Sequence, residues 1–155
     1  MARKRIEWSN LIGSIHMAKQ VLVLCTGNSC RSQMAERLFA LLSDGGWDAA
    51  SAGSNPSGYV HPKAIEVMQE LDVDLSDGVS EHIDAYRGQE FDLVVTVCDN
   101  AAESCPQFPG AKNMVHWPFE DPANAIGSDG EVLNCFRDIR DQISRRITQY
   151  LKTGM

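Results

Sequence analysis

The sequence predicts a single α/β domain built on a four-stranded parallel sheet with helices on both faces. Apolar runs of strand length alternate with amphipathic stretches of helical period, the order that builds a doubly wound sheet. Gly- and Pro-containing loops separate these stretches, and no internal repeat or low-complexity tract interrupts them. At 155 residues the chain has the length of one domain and buries enough surface to fold without a disulfide or metal staple.

Residues 1–18 carry Arg3, Lys4, Arg5 and Glu7 without periodicity and read as an N-terminal extension; residues 19–155 form the domain. Met1 and Met17 both qualify as starts. Val21, Leu22, Val23 and Leu24 read as a buried strand that ends at Cys25 in a turn-rich stretch. From Arg31 a helix places Met34, Leu38, Leu41 and Leu42 on one face and stops at Gly45-Gly46. Trp47 to Ala52 is a short strand, followed by a Gly53 to Gly58 loop and a helix from Pro62 to Leu71 that buries Ile65, Met68 and Leu71. Phe91 to Cys98 reads as a central strand and Asn113 to Trp117 as a shorter one. The last segment sets Val132, Phe136, Ile139, Ile143, Ile147 and Leu151 at steps of three or four, opposite Arg140, Asp141, Arg145 and Gln149.

Composition narrows the function. Fourteen basic against 21 acidic residues give a net charge of −7, which offers no footprint for a nucleic acid backbone. No stretch reaches the apolar length of a signal peptide or membrane span. Five cysteines are too few for a secreted disulfide scaffold, and the odd number leaves a thiol unpaired. The expectation is a cytoplasmic monomer with reactive or buried thiols.

In such a sheet, ligands bind beyond the carboxyl ends of the strands, where Cys25, Cys98 and the loop after Trp117 converge. Cys25 and Arg31 bracket Thr26, Gly27, Asn28, Ser29 and Cys30 between a strand and a helix start. Five Cys and nine Arg produce such a pair by chance about 0.3 times, so the context carries the reading. A short Gly-containing loop opening a helix turns its N–H groups inward, the helix dipole adds positive charge, and Arg31 grips a tetrahedral oxyanion. The same field is expected to lower the Cys25 thiol by ~2 units from ~8.5, making it a nucleophile. Ser32 is placed to donate to the thiolate and Asn28 to hold the loop.

Asp121, fixed by Pro122, is the candidate general acid, although Asp-Pro is also an ordinary turn pair. Cys98 and Cys105 supply two more thiols, as a two-electron reduction with resolution would need; the plainer reading makes them a core and a loop residue. Cys30 is structural or an accidental disulfide partner of Cys25, and Cys135, beside the apolar face of the last helix, reads as structural. Glu81 and Arg87 read as solvated surface. The four histidines, at 16, 61, 82 and 116, lack zinc spacing.

The run from Val21 through Cys25, Arg31 and Glu36 resembles the active-site segment of thioredoxin-coupled arsenate reductases, built on the low-molecular-weight protein tyrosine phosphatase fold. The likeness continues through Ser51-Ala52-Gly53, Pro62 to Glu66, Asp92 to Cys98, Cys105-Pro106, and His116-Trp117 to Asp121-Pro122. The resemblance implies that Cys25 attacks arsenate with Asp121 as acid and Arg31 on the oxyanion. It also implies that Cys98 then attacks Cys25, that Cys105 attacks Cys98, and that thioredoxin reduces the Cys98 to Cys105 disulfide. A glutaredoxin is the alternative reductant. Some family members bind potassium through positions matching Asn28, Glu36, Ser51 and an Asp in whose place this chain has Glu81. Gln33, where the phosphatases have Pro, and Ala123-Asn124, where they have aromatic residues, favour the reductase over a phosphatase acting on phosphate esters. A non-catalytic oxyanion sensor is the third reading.

Overall fold

A computed structural model of the chain describes residues 18–99 and 107–155. Strands β1 (Lys19–Cys25), β2 (Trp47–Gly53), β3 (Phe91–Thr96) and β4 (Ala111–His116) pair in the order β2-β1-β3-β4, all parallel. β1 is central, and Val21 to Leu24 are completely buried, as an unalternating apolar run should be when both sheet faces are covered. Val21, Val23 and Cys25 face one core; Leu22 and Leu24 face the other.

Helices α1 (Arg31–Leu42), α2 (Pro62–Gln69) and α3 (Asp129–Thr153) share the first core. A one-turn 3-10 helix over Ile83–Tyr86 and Phe108 cover the second. α3 is closed at both ends. Ser128 and Glu131 form a reciprocal capping box, and Gly154 at φ 74 supplies the left-handed C-cap, so donors and acceptors left over at the helix ends find partners.

Packing shifts several expected positions. The inward face of α1 is Met34, Ala35, Leu38 and Phe39, while Leu41 and Leu42 are exposed. Phe39, against Trp47, Trp117 and Tyr150, fills that end of the core instead. α2 buries Ala64, Val67 and Met68; it stops at Gln69, and the turn through Asp72 at φ 59 carries Leu71 to the surface. β3 ends at Thr96, two residues short of Cys98. Arg140, expected outside, is buried in the α2–α3 seam, where it donates to the Val67 carbonyl of the last turn of α2. Cys135, expected to be structural beside the apolar face of the last helix, is exposed, because its neighbour Phe136 takes the inward position. The N-terminal extension lies outside the described residues except for Ala18, and Cys105 and Pro106 lie outside them as well.

Register determines where the chemistry is placed. Cys25 is level with Gly53, Leu24 with Thr96 and Thr96 with His116. The carboxyl ends of all four strands therefore open on one edge, and the residues that follow them meet there.

Candidate active site

Cys25 is the last residue of β1 and Arg31 the first of α1. The loop between them folds back over the Cys25 sulfur. Asn28 adopts φ 48, a left-handed conformation that Asn tolerates better than most residues, and this turns its N–H onto Cys25 Sγ at 3.1 Å. Ser32 Oγ lies 2.9 Å from the same sulfur. Because Ser32 Oγ accepts from Asn28 Nδ2 at 2.8 Å, its own proton is directed at Cys25. Asn28 Nδ2 also donates to Ser51 Oγ at 3.0 Å, and Ser51 donates to Glu36 Oε1 at 2.6 Å. A buried chain of polar groups thus runs from the Glu36 carboxylate to the Cys25 thiol. Gly53 allows this close fit, since a Cβ there would collide with the Thr26 carbonyl oxygen.

Arg31 is 3% exposed and is held from behind by two carbonyls, Val97 O at 3.3 Å and Phe119 O at 3.1 Å. Its Nη2 lies 3.4 Å from Asp121 Oδ2. Asp121 caps the 3-10 turn Pro122–Asn124 by accepting from Ala123 N at 3.0 Å. The Cys25 to Arg31 loop and Asp121 together enclose a cavity of about 200 Å³. Three of the residues singled out from sequence therefore converge on one space sized for a small anion.

The electrostatics correct one expectation. Burial pushes the Cys25 thiol up, against the opposing pull of the Ser32 hydroxyl, Arg31 and the backbone N–H groups of Asn28 and Ser32. A lowered thiol is thus not a property of the closed loop, because the cost of burying a thiolate exceeds what those donors return. Cys30 is a free buried thiol pushed up to about 12 by burial, with only a weak contact to Ser29. Cys98 is completely buried, in the same core as Cys25.

The tertiary contacts of two residues escaped the reading of spacing and pattern. Glu81 is not idle surface: its N–H donates to Asn28 Oδ1 at 2.8 Å, and its carboxylate accepts from Tyr86 at 2.7 Å. Gln33, completely buried, donates to the carbonyls of Asn28 and Val79. Both bridge segments about fifty residues apart, so no local pattern announces them. A second cavity of about 380 Å³ shares Asp121 and is lined by Asp99, Glu120, Cys135 and Asp138.

Residues 20–153 match the low molecular weight phosphotyrosine protein phosphatase family. The chain belongs to this family. Within the phosphatase family it is 46% identical over 136 residues to an arsenate reductase of Halalkalibacterium halodurans, covering 88% of this chain and 97% of that one. An arsenate reductase solved in its phosphate-binding state superposes with a TM-score of 0.73 at 33% identity, over 86% of this chain and 97% of the other. A thioredoxin-dependent arsenate reductase of Corynebacterium glutamicum gives a TM-score of 0.63 at 27% identity, over 95% of this chain and 67% of that one. Among the described residues of this phosphatase-family chain, no group of three His, Cys, Asp or Glu side chains is placed to hold a metal ion, and no helix is long and apolar enough to cross a membrane.

Proposed function

We propose that this chain reduces arsenate to arsenite at Cys25 and is recycled by a dithiol reductant. Arsenate enters the loop between Thr26 and Arg31, where inward N–H groups, the start of α1 and Arg31 hold its oxygens. Water entering with the anion relieves the burial of Cys25, and the Ser32 and Asn28 donors then favour the thiolate. The sulfur attacks arsenic, and Asp121 gives its proton to the departing hydroxide, which leaves as water. Cys98 attacks Cys25 Sγ; the S–As bond breaks, its electron pair stays on arsenic, and arsenite leaves. Cys105 attacks Cys98, which returns Cys25 as a thiol and leaves a Cys98 to Cys105 disulfide for thioredoxin to reduce, with glutaredoxin as the alternative donor. The cytoplasm would keep these thiols reduced between turnovers.

The observation that carries this reading is the convergence of Cys25, Arg31 and Asp121 on one cavity, with the Cys98 thiol buried in the core that Cys25 shares. Its test is arsenate-dependent NADPH oxidation with thioredoxin and thioredoxin reductase, for the wild type beside Cys105→Ser. The expected result is turnover lost in the variant alone. NADPH consumption undiminished in the variant rules out the relay.

A second reading, hydrolysis of phosphate esters, draws on the family itself, since Cys25, Arg31 and Asp121 suffice for it. Ester hydrolysis without any arsenate-dependent NADPH consumption by the wild type would put that reading first. A potassium ion suits Asn28, Glu36, Ser51 and Glu81, an all-oxygen set whose Glu36 carboxylate is buried; it would brace the loop by neutralising that charge.

A further inference from the structure

Asn28 is the most heavily tied residue of the loop. Its side chain is engaged by Ser32, Ser51 and the Glu81 N–H, and its own N–H is on the Cys25 sulfur. Its carbonyl accepts from Gln33 Nε2 at 3.1 Å. The same nitrogen donates its other proton to Val79 O at 2.9 Å. Gln33 therefore fastens the left-handed peptide of the loop to the segment from Gly78 to Glu81. That segment is also tied to the loop by Ser80 Oγ on the Gly27 carbonyl at 3.2 Å and by the Glu81 N–H on Asn28. Gly78 makes room for the amide, because a Cβ at 78 would lie 2.9 Å from Gln33 Oε1. The amide oxygen is buried without a hydrogen-bond partner. An apolar side chain of equal length would avoid that cost, so packing alone does not account for glutamine here.

We infer that Gln33 is a positioning residue for the chemistry at Cys25: one proton of its amide holds the Asn28 carbonyl and the other anchors on Val79 O, which keeps Asn28 in the left-handed conformation that points its N–H at the sulfur. It does not touch the substrate. It acts through Asn28, and the Gly78 to Glu81 segment is the fixed wall against which it holds the loop. This rests on the assignment of Cys25 as the nucleophile, and not on the relay through Cys98 and Cys105.

The test is alkylation of Cys25 by iodoacetamide, followed by mass spectrometry across pH, with and without inorganic arsenate as protectant. Wild type is compared with Gln33→Met, which keeps length and loses both donors, and with Gln33→Glu, which keeps shape and loses the donors. The expected result in Gln33→Met is an upward shift of the alkylation midpoint and about three- to tenfold weaker protection by arsenate, as loss of one or two hydrogen bonds should give. A lower melting temperature with midpoint and protection unchanged would make Gln33 structural only and overturn the inference. If Gln33→Met fails to fold, Ser80→Ala, which loosens the same wall from a partly exposed position, carries the test: a raised midpoint supports the inference and an unchanged one overturns it. Failure of arsenate to protect wild-type Cys25 is a separate outcome, which instead rejects the site assignment.

Discussion

Two buried guanidinium groups divide the molecule between them. Arg140, in the α2–α3 seam, is satisfied at short range: Glu70 Oε1 at 2.7 Å, Asp141 Oδ1 at 2.9 Å and Val67 O at 2.8 Å. Arg31, beneath the loop, rests on two main-chain carbonyls at 3.1 and 3.3 Å, and its contact with the Asp121 carboxylate is longer, at 3.4 Å. Both are nearly inaccessible, and Arg31 lines the cavity beneath the loop. Arg140, gripped by close carboxylates, spends its charge on holding helices together; Arg31, on the wall of a cavity with the Asp121 carboxylate at a longer distance, presents its charge to an incoming anion.

The sharpest way to break that contrast is to replace each arginine. Arg31→Lys should lower kcat/KM for arsenate about a thousandfold, the loss expected when a forked donor is reduced to a point charge, while the denaturation midpoint barely moves. Arg140→Ala should reverse the pattern. It removes about 2 kcal/mol of stability in a urea titration by stranding the Val67 carbonyl and loosening Glu70, with kcat/KM unchanged. If Arg140→Ala cost activity and Arg31→Lys cost only stability, the division would be wrong.

A smaller effect separates the thiols. Ser32→Ala removes a hydrogen bond that pulls Cys25 down, so the Cys25 alkylation midpoint should rise and the rate at neutral pH should fall by several-fold. Cys30, pushed up to about 12, should stay unmodified in both proteins. The smallest effect concerns Glu70, which Arg137 and Arg140 hold below the usual carboxylate range. A carboxylate lowered in the folded state contributes stability above its unfolded value of ~4.3, and loses it as pH falls through the lower folded value. Glu70→Gln should therefore make stability flatter than wild type below about pH 4.3, by a modest amount because the group is solvated. Urea midpoints at pH 7 and pH 3 check this.

The two regions were not equally readable from sequence. The four strands, the loop and the trio of Cys25, Arg31 and Asp121 were legible, because short apolar runs, a Cys and Arg around a turn, and an Asp-Pro after a strand are local signals. Arg140 was misread because helical period places it outward, and only the arrival of α2 covers it. Leu41, Leu42 and Leu71 were misread because a periodic pattern does not say where the neighbouring layer ends. The ties that Gln33 and Glu81 make to Asn28 were missed for a different reason: they run across tertiary contacts, between residues brought near by register and not by sequence. Cys25 itself was found, but its thiol was expected to be low, and burial is a property of the folded loop that spacing does not contain.

Trp117 lies between the sheet and Asp121, stacked at 6.1 Å on Phe39 and covered by the Arg146 guanidinium at 4.6 Å. Its indole is 5% exposed, four residues from the proposed acid. The protein thereby contains its own optical probe. In a Trp8→Phe, Trp47→Phe background, a red shift or quenching of emission on adding arsenate would report, in real time and without a label, a change around the Asp121 loop when the anion arrives.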